Sequence, residues 1–220
     1  MLNLDVITNA SVIRDPFDFF VADGVVGAEC QNALTDEFPS VADTGSFPVS
    51  QVTFGPVFRT LVDELSAPSF GRAVGNQLGF AVDGLPQLMT VRGRSGPKDG
   101  FVHTDAEWKL VTVLLYLNPE WNDTGGRLRL LRSADLDDVA VEVSPRFGTL
   151  VAFRRSDRSF HGHHPFLGER RVVQVNWVAN AADVAREERR HRRSAVLKTV
   201  AKTLHSGWGR GRSPDADRHR

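Results

Sequence analysis

Residues 109–117 read KLVTVLLYL, a near-continuous apolar run of strand length. Such a run is expected of a strand covered on both faces, because a half-exposed strand would alternate polar and apolar side chains. The neighbouring segments keep to the same texture. Downstream, Asn122-Asp123-Thr124-Gly125-Gly126 is a turn, and Arg127–Arg132 (RLRLLR) largely alternates charged with apolar residues. Val139–Val143 alternates again, Pro145 and Gly148 flank a further turn, and Thr149–Phe153 and Arg171–Val178 follow as strands. Upstream, Gln87–Val91 is strand-like. Short strands broken by turn signals, with no helices between them, predict a sandwich or a barrel.

The flanks read as helical. Asp15-Pro16-Phe17 opens a Phe-rich segment (Phe17, Phe19, Phe20), and Leu34 and Phe38 stand one helical turn apart before Pro39. Phe58, Leu61, Val62 and Leu65 have helical spacing, and Val74 and Leu78 continue a third helix up to Gly79. After Asn180 the pattern is helical once more, with Val196, Val200 and Leu204 forming a narrow apolar stripe. The fold class expected is therefore mainly β with flanking helices (α+β), supporting helices preceding the β core and a C-terminal helix following it. We expect one domain over residues 1–206, its core at about 85–180, and a disordered basic tail over 207–220.

The bulk properties exclude several classes. A chain of 220 residues with 41% apolar and 25% charged residues has the makeup of a soluble globular protein. No stretch has the ~20 apolar residues of a membrane span, and the start MLNLDVITNASVIRD lacks the basic and apolar regions of a signal peptide. Cys30 is the sole cysteine, so no internal disulfide can form and a cytoplasmic setting is expected. Net charge is zero but uneven: from Arg186 onward, 11 Lys/Arg against 4 Asp/Glu give +7, leaving −7 for the first 185 residues. A charge run of this kind is read here as a solvated helix and tail rather than a nucleic-acid or membrane contact. No nucleic acid and no membrane are expected as partners.

Phe101-Val102-His103-Thr104-Asp105 carries the chemistry. In an extended segment residues i and i+2 project to one side, so His103 and Asp105 can reach one cation. One further histidine completes a two-His, one-carboxylate facial set, which leaves open positions on iron(II). His161-Gly162-His163-His164 lies 56 residues beyond Asp105 and offers that histidine, and Arg170-Arg171 stands nine and ten residues beyond His161. Arginine binds carboxylates bidentately and keeps its charge when partly buried. Strand parity puts Arg170, Val172, Gln174 and Asn176 on one face and Arg171, Val173, Val175 and Trp177 on the other. The polar set suits a pocket for a dicarboxylate; a bulge between the two arginines would reverse the parity in favour of Arg171. Lys109 and Thr112 face either this pocket or its rim. Gly125-Gly126 serve a turn, and Trp108, Trp121 and Trp177 are packing residues.

These pieces together resemble the catalytic core of the 2-oxoglutarate/Fe(II) oxygenase superfamily, in its prolyl-4-hydroxylase-like branch. The similarity rests on HTD (103–105), YLN (116–118), GGRL (125–128), the P-x-x-G-T-L of Pro145–Leu150 with Phe153, HGHHPF (161–166), GERR (168–171) and NWV (176–178), in order and in register from Phe101 to Val178. The resemblance implies a double-stranded β-helix (jelly roll) with iron at one open end. It implies His103 and Asp105 as proximal ligands, His161 as the distal ligand, and Arg170 as the cation on the far carboxylate of 2-oxoglutarate, with Gln174 and Asn176 beside it. The hydroxyl that assists this cation in the family is left unassigned, Tyr116 lying on a different strand. Implied cofactors are Fe(II), 2-oxoglutarate as co-substrate and O₂, with ascorbate a candidate stimulant. The implied reaction couples oxidative decarboxylation of 2-oxoglutarate to hydroxylation of an unidentified small-molecule or peptide substrate: an amino acid, a peptidyl proline or a metabolite. The carboxylate of Asp105 favours hydroxylation over halogenation, since halogenating relatives generally lack it. Two readings compete, a non-catalytic cupin-like metal- or ligand-binding module and a hydrolytic metalloenzyme. Oligomeric state has no signature in the sequence.

Overall fold

The apolar run lies at the middle of the β core. In a computed structural model, which describes residues 1–190, Lys109–Tyr116 forms strand β4 of a six-stranded antiparallel sheet. In chain order the strands are β1 (Phe19–Ala22), β2 (Phe47–Pro48), β3 (Gln87–Ser95), β4, β5 (Leu128–Leu131), β6 (Val139–Val143), β7 (Leu150–Arg154), β8 (His161–Gly162) and β9 (Gly168–Val178). The large sheet runs β1-β7-β4-β9-β3-β2 and the small one β6-β5-β8. Helices α1 (Leu4–Thr8), α2 (Gln31–Asp36), α3 (Pro56–Ser66) and α4 (Pro68–Leu78) precede β3, and residues 181–190 are helical.

Alternation divides the large sheet between two cores. Val111, Val113 and Leu115 of β4, with Val173, Val175 and Trp177 of β9, join the apolar faces of α3 and α4 (Phe58, Leu61, Leu65, Phe70, Val74, Leu78). The opposite faces contribute Tyr116, Val151, Phe153 and Val172, which close with Leu128, Leu130 and Val143 of the small sheet. Two antiparallel sheets sharing an inner core, with helices on the back of the larger one, make a double-stranded β-helix with supporting helices. This is the expected class, and the double coverage of β4 is what its apolar run requires.

The helices stop and start by ordinary rules. α3 and α4 each carry Pro at their first position, and α4 ends on Gly79 in the left-handed conformation (φ 62°). No side chain at Gly55 caps α3; instead Glu37 accepts hydrogen bonds from the Val57 and Phe58 N–H groups at 2.6 and 3.3 Å. A carboxylate there also meets the positive end of the helix dipole.

Three expectations need correction. The Phe-rich segment is not helical: Phe19–Ala22 pairs with Phe153–Leu150 as an edge strand. Phe19 faces the inner core and Phe20 the helical one, so its aromatics follow a period of two. Leu34 and Phe38 do not share a helix either, since α2 ends at Asp36 and Phe38 packs edge-on against Phe58 at 5.4 Å. Strands β3 and β9 run longer than expected, to Ser95 and from Gly168. The stripe Val196, Val200 and Leu204 and the tail 207–220 lie outside the described residues. Among the described residues no helix is long and apolar enough to cross a membrane.

Trp177, 4% exposed, stacks on Phe70 at 5.9 Å and fastens α4 to the sheet. We expect Trp177→Ala to cost about 3–5 kcal/mol in urea unfolding, and Glu37→Ala about 1 kcal/mol through loss of the cap. A Trp177→Ala loss well under 1 kcal/mol would contradict this anchoring.

Candidate metal centre

The three residues singled out as ligands meet at one end of the barrel. His103, Asp105 and His161 each bring a ligand atom within 4.8 Å of the others. Backbone pairing sets this up: His103 N–H donates to the His161 carbonyl at 3.1 Å and His161 N–H to the His103 carbonyl at 3.0 Å. The two histidines thus form a single rung joining the loop before β4 to β8, and their ring centroids stand 4.4 Å apart. Gly162 makes this approach possible, because a Cβ there would come within 2.8 Å of the Gly100 carbonyl oxygen.

Hydrogen bonding fixes both tautomers. His103 Nδ1 lies 2.8 Å from the Phe101 carbonyl and His161 Nδ1 lies 3.0 Å from that of Ser159. A carbonyl only accepts, so each Nδ1 carries the proton and each Nε2 is left with a free lone pair, as a metal ligand requires. Burial pushes the His161 imidazole down to about 4, despite the opposing attraction of Asp105. Burial alone would raise Asp105, but the nearby Lys109 charge, His161 and the hydrogen bonds from Lys109 and Thr112 together hold it down at about 2. At neutral pH the cluster therefore presents a neutral His161 imidazole and an ionised Asp105 carboxylate, as binding of a divalent cation requires.

Asp105, 5% exposed, is held by a directed chain of hydrogen bonds. Gln174 Nε2 donates to Asn176 Oδ1 at 3.0 Å, Asn176 Nδ2 to Thr112 Oγ1 at 2.7 Å, and Thr112 Oγ1 to Asp105 Oδ2 at 2.6 Å. Lys109 Nζ donates to Asp105 Oδ1 at 2.7 Å. Lys109 and Thr112 therefore both turn to the site, and Gln174 and Asn176 line the same cavity of about 540 Å³ as His103, Asp105 and Lys109.

Arg170 sits on the inner face of β9 and does not line that cavity. It is 5% exposed; its Nε donates to the Gly126 carbonyl at 2.8 Å and a terminal nitrogen donates to the Tyr116 hydroxyl at 3.2 Å. Among the described residues no carboxylate pairs with it. Arg171 takes the other face, donating to the Thr35 carbonyl at 3.0 Å and lying over the Phe38 ring. A bulge does occur here: Arg92 pairs with Val172 but Arg94 with Glu169, so both arginines fall opposite Gly93, yet their alternation survives. Tyr116 is the residue that sequence reasoning passed over. It lies on β4, but β4 neighbours β9, and Tyr116 is directly opposite Val172, so the inner-face parity could have found it.

The titration of the site has a consequence for the metal-free protein. Burial, with repulsion from Arg170, also pushes His163 down to about 4. Both His161 and His163 then stay neutral when folded over a range in which the unfolded chain, near 6.5, takes up protons. Their neutral forms cost nothing above pH ~6.5; as pH falls from there toward 4, stability should drop by up to ~1.4 kcal/mol per pH unit for each. Urea unfolding of metal-free protein between pH 7.5 and 4.5 measures this, and His163→Asn should flatten the slope. An unchanged slope would mean that His163 is accessible and ordinary.

Comparison with known proteins places this geometry. Residues 94–179 match the 2OG-Fe(II) oxygenase superfamily. No curated protein sequence matches the chain. Among solved structures, the chain resembles a prolyl 4-hydroxylase from Phytophthora capsici, with 20% identity and a TM-score of 0.54 over 82% of this chain and 67% of that one. It is also similar to a prolyl hydroxylase from Trichoplax adhaerens in complex with a hypoxia inducible factor peptide fragment, with 18% identity and a TM-score of 0.52 over 80% of this chain and 88% of that one. A Pseudomonas putida prolyl-4-hydroxylase is similar at 19% identity and a TM-score of 0.50, over 81% and 97% of the two chains. At these identities the structures speak to the fold, and the sequence match speaks to the segment bearing the histidines and the aspartate. Residues 94–179 thus match the 2OG-Fe(II) oxygenase superfamily, and the chain shares the fold of solved prolyl 4-hydroxylases.

Proposed function

We propose that the chain is an Fe(II)- and 2-oxoglutarate-dependent dioxygenase that hydroxylates a small molecule or a peptide. Its metal ligands in this reading are His103, Asp105 and His161, and Arg170 with Tyr116 holds the far carboxylate of the co-substrate. The observation that carries the reading is the pairing of two features in one barrel: a converged His-Asp-His set and a buried guanidinium that has no counter-charge among the described residues. An uncompensated buried cation is costly unless an anion completes it, so Arg170 fits a site built for a carboxylate.

Fe(II) and 2-oxoglutarate, when bound, supply oxidative decarboxylation of the keto acid to succinate and CO₂ together with transfer of an oxygen atom from O₂ to a substrate C–H bond. The chain's own residues do the rest. Three protein ligands on one side of a metal leave the other side free for co-substrate and O₂. The Gln174–Asn176–Thr112 chain keeps Asp105 oriented, and the Lys109 charge is the leading cause that keeps it ionised. The Arg170 guanidinium and the Tyr116 hydroxyl give a bidentate cation and a neutral donor for the same carboxylate. The substrate reaches the metal through the cavity bounded by Thr44–Phe47, Trp108 and the helical residues Glu187 and Arg190. Arg171 has no part in this site.

The test is succinate release with Fe(II), 2-oxoglutarate and ascorbate, against amino acids, peptides containing proline, and metabolites. Turnover should disappear in His103→Ala, Asp105→Ala and His161→Ala. If His161→Ala keeps full turnover while His163→Ala loses it, the distal ligand is misassigned. Arg170→Gln should weaken 2-oxoglutarate binding by about 2–5 kcal/mol, as when one partner of a buried pair is removed, whereas Arg171→Gln should leave it nearly unchanged. The opposite ordering would move the co-substrate to the other face of β9.

A further inference from the structure

Among the described residues Lys109 is the cation that pairs with a ligand side chain of the His-Asp-His set, whereas Arg155 donates to the backbone carbonyl of Asp105 at 3.2 Å. Its ammonium stands 2.7 Å from Asp105 Oδ1, with the two side chains 17% and 5% exposed. The other cations at the cavity are paired elsewhere, Arg92 with Asp99 and Arg190 with Glu187.

Orientation of Asp105 does not require this lysine. Thr112 already donates to Oδ2, while its own oxygen accepts from Asn176. The contribution peculiar to Lys109 is charge. Imidazoles that ligate a metal are neutral, so the ligand set carries the −1 of Asp105; with Lys109 the sum is zero. Each carboxylate oxygen has two lone-pair directions, so a cation can still bind Asp105 without displacing either donor. The ammonium would then stand roughly 5 Å from that cation, one hydrogen bond and one coordination bond away. At such a distance in a partly buried site, repulsion between a single and a double positive charge changes a binding constant by orders of magnitude.

We propose that Lys109 is a positioning residue that acts through Asp105: by neutralising this carboxylate it makes divalent-metal binding at His103, Asp105 and His161 weaker than the ligand set alone would give. The loaded site keeps a charge of +2 instead of +1, which favours an anionic co-substrate. The inference rests on the metal-centre reading above.

The experiment is calorimetric titration of the metal-free full-length chain with Mn(II), which needs no turnover. Lys109→Met removes the charge and keeps the side-chain length; it should bind Mn(II) at least about tenfold more tightly than wild type. Lys109→Arg should stay within about threefold of wild type, since the charge is kept. Thr112→Val, which removes orientation and leaves the charge pair, should bind more weakly. A merely structural lysine cannot give the tightening: loss of packing or order lowers affinity. Lys109→Met binding that is equal to or weaker than wild type overturns the inference. Should that variant fail to fold by circular dichroism, Lys109→Gln must show the same tightening. His103→Ala separates the two readings: if it binds Mn(II) as wild type does, the metal centre itself is wrong; if it loses binding while Lys109→Met is unchanged, only the role of Lys109 falls.

Discussion

Alternation along β9 and β4 is the constraint on which the molecule depends. Each strand must satisfy an apolar helical layer on one side and a mixed, partly polar barrel interior on the other. Val173, Val175 and Trp177 answer the first demand; Arg170, Gln174 and Asn176 answer the second. A slip of one residue in either strand would drive Arg170 into the helices and a valine toward the metal site. The site is therefore not added to a finished scaffold. The hydrophobic force that seats α3 and α4 on the sheet is the same force that fixes which side chains face the cavity.

How much of this could be read from the sequence depended on the range of the interaction. His103 and Asp105 are two residues apart, and extended backbone alone brings them together. Arg170 was separable from Arg171 by parity, because β9 carries polar and apolar side chains on opposite faces. Tyr116 meets Arg170, 54 residues away on an adjacent strand; the inner-face parity of β4 is legible, but the pairing of β4 with β9 that brings the two together is not. Glu37 capping α3 escaped notice for the same reason. Strand β1 reads as helical because adjacent Phe19 and Phe20 hide its alternation, and the decision comes from β7, which offers an open edge. Helices α3 and α4 were legible because their apolar stripes are long enough to outvote local noise.

The competing functional readings fare differently against the same geometry. A ligand-binding module without catalysis, or a hydrolytic metal site, could use His103, Asp105 and His161 as they stand. Neither gives a reason to keep a guanidinium at 5% exposure whose partners among the described residues are a carbonyl and a phenol. In a protein selected for stability alone such a charge would be replaced by an apolar side chain. Its retention is what the proposed co-substrate site accounts for and the two competing readings do not.

The chain of donors that ends on Asp105 also limits what can stand there. Lys109 has hydrogens and no lone pair to offer, and Thr112 already accepts from Asn176, so both neighbours approach as donors. Asp105 thus accepts on both sides. Asparagine matches aspartate in shape, but its amide nitrogen could not face Lys109, which has no lone pair, and facing Thr112 it would take the second lone pair of that hydroxyl and turn its hydrogen away. The carboxamide would lose the ion pair and have one orientation left before any metal arrived, so the interior of the barrel distinguishes an oxygen from an isosteric nitrogen at a point where van der Waals shape alone could not.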